Sequence, residues 1–328
     1  MRYRIINRLE WRTYMNLHNN VEIFEELIEL AAKQYNLPSS AVRKDYFITL
    51  ILSNLQNSPY LEHVVFKGGT SLSKCYPGSI ERFSEDIDLT YIPEEDMSDN
   101  QTSKKIKAIE KVLVGYGEME KIDPERNNRN KSCYVWFTDA YKEIERIKLE
   151  IGSSVRPHPY SKKELQSYIQ DYLEGIDEIG AIEEFQLKRT RVNVLNIERT
   201  FVDKLMSVKR HAICGSLNEK VRHIYDVVQL CEMEEIKRFL EDKSNLKNIV
   251  QITKQTDSVY LEKRDIPKEY NPEGPYGFEV WKDKFSNDIK SSYEDLHNTL
   301  LYTNQKQEWS KVEKVFSQID QVLKEIEE

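Results

Sequence analysis

The chain of 328 residues is 39% hydrophobic and 32% charged, and it carries 19 Tyr, 11 Phe and 4 Trp. At roughly 100–200 residues per domain, this suffices for two domains with buried cores, and the aromatic content excludes a disordered chain. With 56 acidic against 48 basic residues the net charge is −8, which excludes a nonspecific nucleic-acid coat while leaving room for a local basic groove. An apolar run of about 18 residues is absent, so no transmembrane helix and no membrane partner are expected. The first 20 residues lack an apolar leader core. Cys75, Cys133, Cys214 and Cys231 form no CxxC pair and read as reduced thiols rather than a zinc site or disulfide frame. A cytoplasmic location follows as the expectation.

Taken in chain order, Val21, Phe24, Leu27, Ile28 and Ala31 recur at helical spacing. A second helix is expected after Pro38-Ser39-Ser40, carrying Val42, Phe47, Leu50 and Ile51. The period then changes. His63-Val64-Val65-Phe66 reads as a buried strand ending at Gly68-Gly69, with Thr70-Ser71 opening a short helix. Ile87, Leu89 and Tyr91 alternate with Asp86, Asp88 and Thr90 in a further strand. A charged helix is expected near 101–115, then strands at 132–138 and 145–151. Helices thus precede a sheet of four or five strands over 60–155. Beyond it, 161–174, 198–213 and 218–232 fit a helical period, with a short strand at 192–197. Residues 264–278, with three prolines and two glycines, read as a long loop, and 306–328 as a helix with Trp309, Val312, Phe316, Ile319 and Leu323 on one face. The fold expected is α+β, a small mixed sheet flanked by helices in 1–190 and a mainly helical C-terminal domain in 191–328.

The chemistry concentrates in KGGTSLSKCYPGSIERFSEDIDLT, residues 67–90. Asp86 and Asp88, two apart in a strand, face one side about 6.6–7 Å apart. Paired carboxylates stay ionised cheaply when a cation lies between them, and hard oxygen ligands suit Mg²⁺ together with substrate phosphates. The plainer reading is a solvated acidic face on an edge strand. Gly68 and Gly69 would let the backbone approach a phosphate at a helix start. The spacing to Lys74 is not that of a P-loop. Glu150, in a strand pattern with Lys148 on its own face, is a third acid that would complete a two-metal site. Arg222 and Asp226, at i and i+4, are placed to pair on one helix face. His223 reads as a surface or capping residue, or as a neighbour of the site. Basic segments at Lys104-Lys105-Lys107, 126–131, Lys188-Arg189-Arg191 and Lys209-Arg210 are candidates for an RNA-facing surface. Trp11, Tyr46 and Tyr225 are candidates for base stacking, with core packing as the plainer role.

The glycine turn, the DxD strand and the third acidic strand resemble the nucleotidyltransferase superfamily of the DNA polymerase β type. The wording KGGTSLSK followed by RFSEDIDL is similar to the AbiEii/AbiGii toxin family. Arg43-Lys44-Asp45-Tyr46 resembles that family's lead-in helix, 199–205 its lysine-bearing helix, and Arg222 to Asp226 its downstream helix. One departure is the stretch of 16 residues between Gly69 and Asp86, longer than usual in the superfamily, so that Cys75 to Phe83 reads as an insertion.

The resemblance implies a nucleotidyltransferase core and transfer of NMP from an NTP to an acceptor hydroxyl. Mg²⁺, or Mn²⁺ in its place, would sit on Asp86, Asp88 and Glu150, with Lys204 and Asp226 as further catalytic residues. Lys67, Gly68, Gly69, Thr70, Ser71, Arg82, Ser84, Lys204 and Arg222 would bind the NTP. It further implies a toxin restrained by a cognate antitoxin, with the tRNA 3′ end as leading acceptor and protein hydroxyls as the competing one. A non-catalytic NTP- or RNA-binding module and a metal-dependent phosphohydrolase are the alternatives from other classes.

Overall fold

The computed structural model describes residues 16–82, 84–138, 142, 146–261, 267, 269–299, 301–302 and 306–327. Trp11, Phe83 and residues 264–266 and 268 of the expected loop lie outside them. The strands are β1 (Val64–Lys67), β2 (Ile87–Tyr91), β3 (Glu118–Lys121), β4 (Asn130–Trp136), β5 (Ile147–Gly152), β6 (Tyr160–Leu165) and β7 (Thr190–Leu195). The helices before β7 are α1 (Val21–Tyr35), α2 (Ser39–Gln56), α3 (Gly68–Cys75), α4 (Asp99–Val114), α5 (Tyr168–Gly175) and α6 (Ile179–Glu184). After β7 come α7 (Ile197–Ile213), α8 (Val221–Leu230), α9 (Glu234–Glu241), α10 (Lys243–Leu261), α11 (Phe278–Trp281), α12 (Asn287–Thr299) and α13 (Trp309–Glu327).

The seven strands form one mixed sheet in the order β3-β4-β5-β2-β1-β7-β6. The pairs β1–β7 and β2–β5 are parallel and the other four antiparallel. Strand alternation gives the central strands two unlike faces. Val64, Phe66, Ile87, Leu89, Ile147, Leu149 and Ile151 are buried on one side, where α2 and α4 pack. Each such side chain contributes about 1.5–3 kcal/mol of burial. By the same alternation the opposite side carries Lys67, Asp88, Lys148 and Glu150. The apolar pattern that fixes the core thus fixes which side the acids occupy.

Sequence and structure differ at several elements. The stretch 161–174, expected as one helix, divides into β6 and α5: Ser161 to Leu165 pair with Val194 to Thr190, and the helix starts only after Ser167, whose hydroxyl accepts from the Gln170 amide. The expected strands at 60–155 are five, and β6 and β7 extend the sheet to seven. Ser39 and Ser40 are already helical, and Pro38 is the N-cap. The division expected at 190 falls at the first residue of β7, between β1 and β6 in the sheet. We propose to place it after Leu195, which leaves the sheet whole.

The C-terminal helices pack on one another and on α7, which follows β7 after the single residue Asn196. Val312, Phe316, Ile319 and Leu323 of α13 are buried against α8, α10 and α11. The four cysteines are free thiols. Among the described residues no helix is long and apolar enough to cross a membrane.

Candidate active site

Strand β1 runs straight into α3, with Lys67 in extended conformation as the N-cap. Gly68 has φ +85°, a left-handed conformation that favours glycine. A Cβ on Gly68 would lie 2.3 Å from Asp88 Oδ2, and one on Gly69 would lie 2.6 Å from Ser84 Oγ and 2.7 Å from Arg82 Nη2. The two glycines are therefore what lets a carboxylate, a hydroxyl and a guanidinium close on the start of the helix. Inside the turn Ser71 Oγ donates to the Gly68 carbonyl at 2.9 Å, and Thr70 Oγ1 donates to Ser84 Oγ at 3.0 Å. Ser71 and Thr70 are buried, so they brace the turn from within rather than facing outward. Gly68→Ala is expected to cost about 1–2 kcal/mol from the left-handed backbone alone and to displace Asp88. Urea unfolding read beside nucleotide binding would show both losses.

Asp88 is the register partner of Lys67 on β1 and of Glu150 on β5, and Glu150 in turn pairs with Ser132 on β4. One row across four strands therefore reads Lys67, Asp88, Glu150, Ser132. Asp86 immediately precedes β2. Burial raises its carboxyl to about 6, Asp88, Glu85 and Glu150 add to the rise, and Lys148 opposes it. These crowded acids are relieved by a cation, and their oxygens are hard donors, so the residues fit a divalent ion. Among the described residues no three Asp, Glu, His or Cys side chains converge on one ion position. An ion on Asp86 and Asp88 would therefore draw further ligands from substrate oxygens, as Mg²⁺ commonly does. The Glu150 carboxylate is engaged by Lys148, whose Nζ is 2.5 Å from Oε1.

Behind the turn is a buried charge cluster. Asp226 on α8 is fully buried. Its Oδ1 lies 2.6 Å from Arg82 Nε, and its Oδ2 lies 2.7 Å from both Arg82 Nη2 and Lys204 Nζ. Burial alone would raise the Asp226 carboxyl. Arg82 first, and Lys204 with it, more than reverse this and hold the carboxyl well below the usual range. Burial pulls Lys204 down from the usual lysine value, with Asp226 opposing, Arg82 adding and Asp88 also opposing.

Several expected pairings resolve differently. Arg222 is exposed, and Asp226 pairs with Arg82 and Lys204 instead of the residue one turn before it. Arg82, expected on the triphosphate, is committed to Asp226 while its Nη2 borders Gly69. His223 is half-buried. Burial and then Lys204 push its imidazole well below its usual pKa, and its Nδ1 has no partner among the described residues. Tyr46 and Tyr225 are core residues, Tyr46 bonded to His18 Nδ1 at 2.8 Å. Lys209 is buried with Nζ on the Pro275 carbonyl, and Arg210 pairs with Asp257 at 2.9 Å. Arg126 clasps Glu110 at 2.6 and 2.8 Å. These cations hold the fold together. Lys104, Lys105, Lys107, Lys188, Arg189 and Arg191 are exposed.

A cleft of about 430 Å³ opens beside α3, lined among others by Lys44, Asp45, Thr70, Ser84, Tyr168 and Tyr302. At its wall Lys74 is ion-paired to Asp45 and donates to the Gln166 carbonyl at 3.0 Å, while Asp45 accepts from the Tyr168 amide at 2.9 Å. Both partners stand in the stretches RKDY and KGGTSLSK, so those two segments meet here. Their pairing had no signal in local spacing.

The family model described as nucleotidyl transferase AbiEii toxin, type IV toxin–antitoxin system, matches residues 50–309. No curated protein matches the chain. Among solved structures the chain is similar to MenT4, a nucleotidyltransferase toxin from Mycobacterium tuberculosis H37Rv, with 15% identity, a TM-score of 0.48, and 91% of this chain and 98% of that chain covered. The family match takes in the acidic row, the glycine turn and the buried charge cluster, and the chain belongs to the AbiEii family of nucleotidyltransferase toxins of type IV toxin–antitoxin systems.

Proposed function

We propose that the chain moves NMP from an NTP to a hydroxyl at the tRNA 3′ end, with release of pyrophosphate. The observation that carries this is the contact of Asp88 with the glycine start of α3, beside Asp86 and opposite Glu150. It supports a reading in which anionic phosphate binds next to a cation. In this reading Asp86 and Asp88 hold a divalent ion, Mg²⁺ or Mn²⁺. When bound, the ion neutralises charge developing on the transferred phosphoryl group.

The amides at Gly68 and Gly69 receive the phosphates at a helix start. Lys67 and Ser84 flank them, and Thr70 and Ser71 keep the turn in shape. Lys204 supplies a positive charge toward the phosphates, held in place by Asp226, which Arg82 clasps from its other side. Glu150 orients the acceptor hydroxyl and takes its proton. The acceptor oxygen then bonds to the α-phosphorus as the bond from that phosphorus to the bridging oxygen breaks. Positioning and electrostatics of this kind supply most of phosphoryl-transfer catalysis. The cleft beside α3 lies within the size range of small-ligand sites, about 300–1,000 Å³, and would receive part of the nucleotide. The exposed lysines of α4, with Lys188 and Arg191, offer a basic surface for RNA, while Arg189 is paired to Glu164 and Glu174, and a cognate antitoxin would restrain the activity in the cell.

The test incubates purified protein with each α-³²P-labelled NTP, Mg²⁺ and total tRNA, with a parallel lane lacking RNA. Label on tRNA that is absent with Asp86→Asn is the expected result and names the nucleotide. Label on protein alone would move the acceptor to a hydroxyl side chain. Released inorganic phosphate in place of pyrophosphate would replace transfer by hydrolysis.

A further inference from the structure

We propose that the acidic site takes a single divalent cation, on Asp86 and Asp88, and that the Lys148 ammonium stands on Glu150 in place of a second ion. The inference deepens the transfer reading above and rests on it.

Lys148 and Glu150 are two apart on β5 and so share the face of the sheet that carries the acids. Lys148 Nζ is 2.5 Å from Glu150 Oε1 and 2.9 Å from Glu125 Oε2. Glu125 comes from the short 3₁₀ turn ahead of β4, so the ammonium is gripped from two directions. The parallel register pairs Ile87 with Leu149 and Asp88 with Glu150. Carried one residue back, it sets Asp86 beside Lys148. The lysine therefore stands at the same level of the sheet as the aspartates, with its charge held against the third acid.

In the two-metal site expected from the sequence, Glu150 is the third carboxylate, turned to ions about 3.5–4 Å apart. Here that carboxylate already carries a cation, and among the described residues no three acids, histidines or cysteines converge to hold an ion by themselves. A lysine ammonium is a compact point charge with three donors. It can satisfy Glu150 and Glu125 together, and an ion entering at Glu150 would have to displace it from both. An ordinary exposed pair would share the distances but would have no effect on how many ions bind.

The experiment counts ions without asking for turnover. Protein is titrated with Mn²⁺ alone, and with Mn²⁺ plus each of the four α,β-methylene NTPs, and followed by electron paramagnetic resonance. Wild type is expected to show no exchange-coupled ion pair under any of these conditions, and one protein-bound ion without nucleotide. Lys148→Met is expected to gain the coupled pair when nucleotide is present, and its transfer to turn from first to second order in Mg²⁺. Lys148→Arg keeps the wild-type spectrum, and Glu150→Gln still binds its one ion because that ion sits on the aspartates. A coupled pair in wild type overturns the proposal. So does a Lys148→Met spectrum and Mg²⁺ order identical to wild type, and so does loss of the ion in Glu150→Gln. Thermal melting of each variant confirms that the counts come from folded protein. The ion count is read on a nucleotide that cannot be transferred, so it stands whether or not tRNA is ever labelled, and the labelling assay stands whatever the ion count.

Discussion

Asp86→Asn is expected to lower transfer by about 10²–10³-fold or more while leaving the protein at least as heat-stable as wild type at pH 7.5. The carboxyl of Asp86 is raised to about 6 by burial and then by Asp88, Glu85 and Glu150. Its folded value thus lies above the unfolded one, near 3.9. For a group so raised, the stabilising contribution is complete below the unfolded value and is lost as pH climbs through about 6. At neutral pH without an ion, the ionised Asp86 therefore works against the fold, and asparagine removes that opposition. The melting curves of variant and wild type should separate at pH 7.5, with the variant higher, and converge near pH 4. Mg²⁺ should raise the melting temperature of wild type and not of the variant, because an ion that binds only the folded state stabilises by mass action. The same titration makes ion binding weaken as pH falls through about 6. If Asp86→Asn and Asp88→Asn both melt far below wild type, with activity lost only in proportion to unfolded protein, the acids are structural and the proposed site is wrong.

The centre of the sheet was legible in the sequence because each strand there buries one face completely. Val64 to Phe66 is a short buried β-branched and aromatic run, Ile87 to Tyr91 and Ile147 to Ile151 alternate apolar with polar residues, and Gly68-Gly69 marks the turn. The edges were not legible. Strand β3 is Glu-Met-Glu-Lys and exposed at every residue, so it has no apolar signal. Strand β6, Tyr-Ser-Lys-Lys-Glu-Leu, owes its form to hydrogen bonds with β7, about 30 residues further along the chain. The acids of the site could be singled out one by one, since DxD and a third strand acid are local patterns. Their partners could not. Arg82 follows the glycine turn by only 13 residues, yet it reaches Asp226 across 144 residues. The i, i+4 rule offered Arg222 to Asp226, but the face of α8 that carries Asp226 is turned inward, where Arg82 and Lys204 wait, and tertiary packing overrides the local pair. Lys148 was visible as a neighbour of Glu150, and only the folded distances show that it is held on it.

Asp226→Ala is expected to cost the fold about 3–5 kcal/mol, because it leaves two cations, Arg82 and Lys204, buried without their counter-charge. Lys204→Met should behave differently. It leaves Asp226 clasped by Nε and Nη2 of Arg82, a one-to-one pair of charges, and should melt near wild type while losing transfer. The pH dependence separates the two further. Asp226 has a folded pKa held below its unfolded value by Arg82 and Lys204, so its contribution is present above about 4 and is lost as pH falls below that toward the folded value. Urea unfolding should therefore show a wide gap between wild type and Asp226→Ala at pH 7 that narrows at pH 3. A triple replacement, Arg82→Met with Lys204→Met and Asp226→Leu, should recover much of the stability, since apolar residues of similar volume can replace a buried ionic cluster. An Asp226→Ala protein within about 0.5 kcal/mol of wild type, the usual range of surface changes, would mean the cluster is wetter than its burial indicates. Loss of transfer in an Asp226 variant follows from misplacing Lys204 as readily as from the loss of the carboxylate itself. Lys204→Met, with the fold and the Arg82–Asp226 clasp intact, is the variant that tests the charge proposed to act on the phosphates.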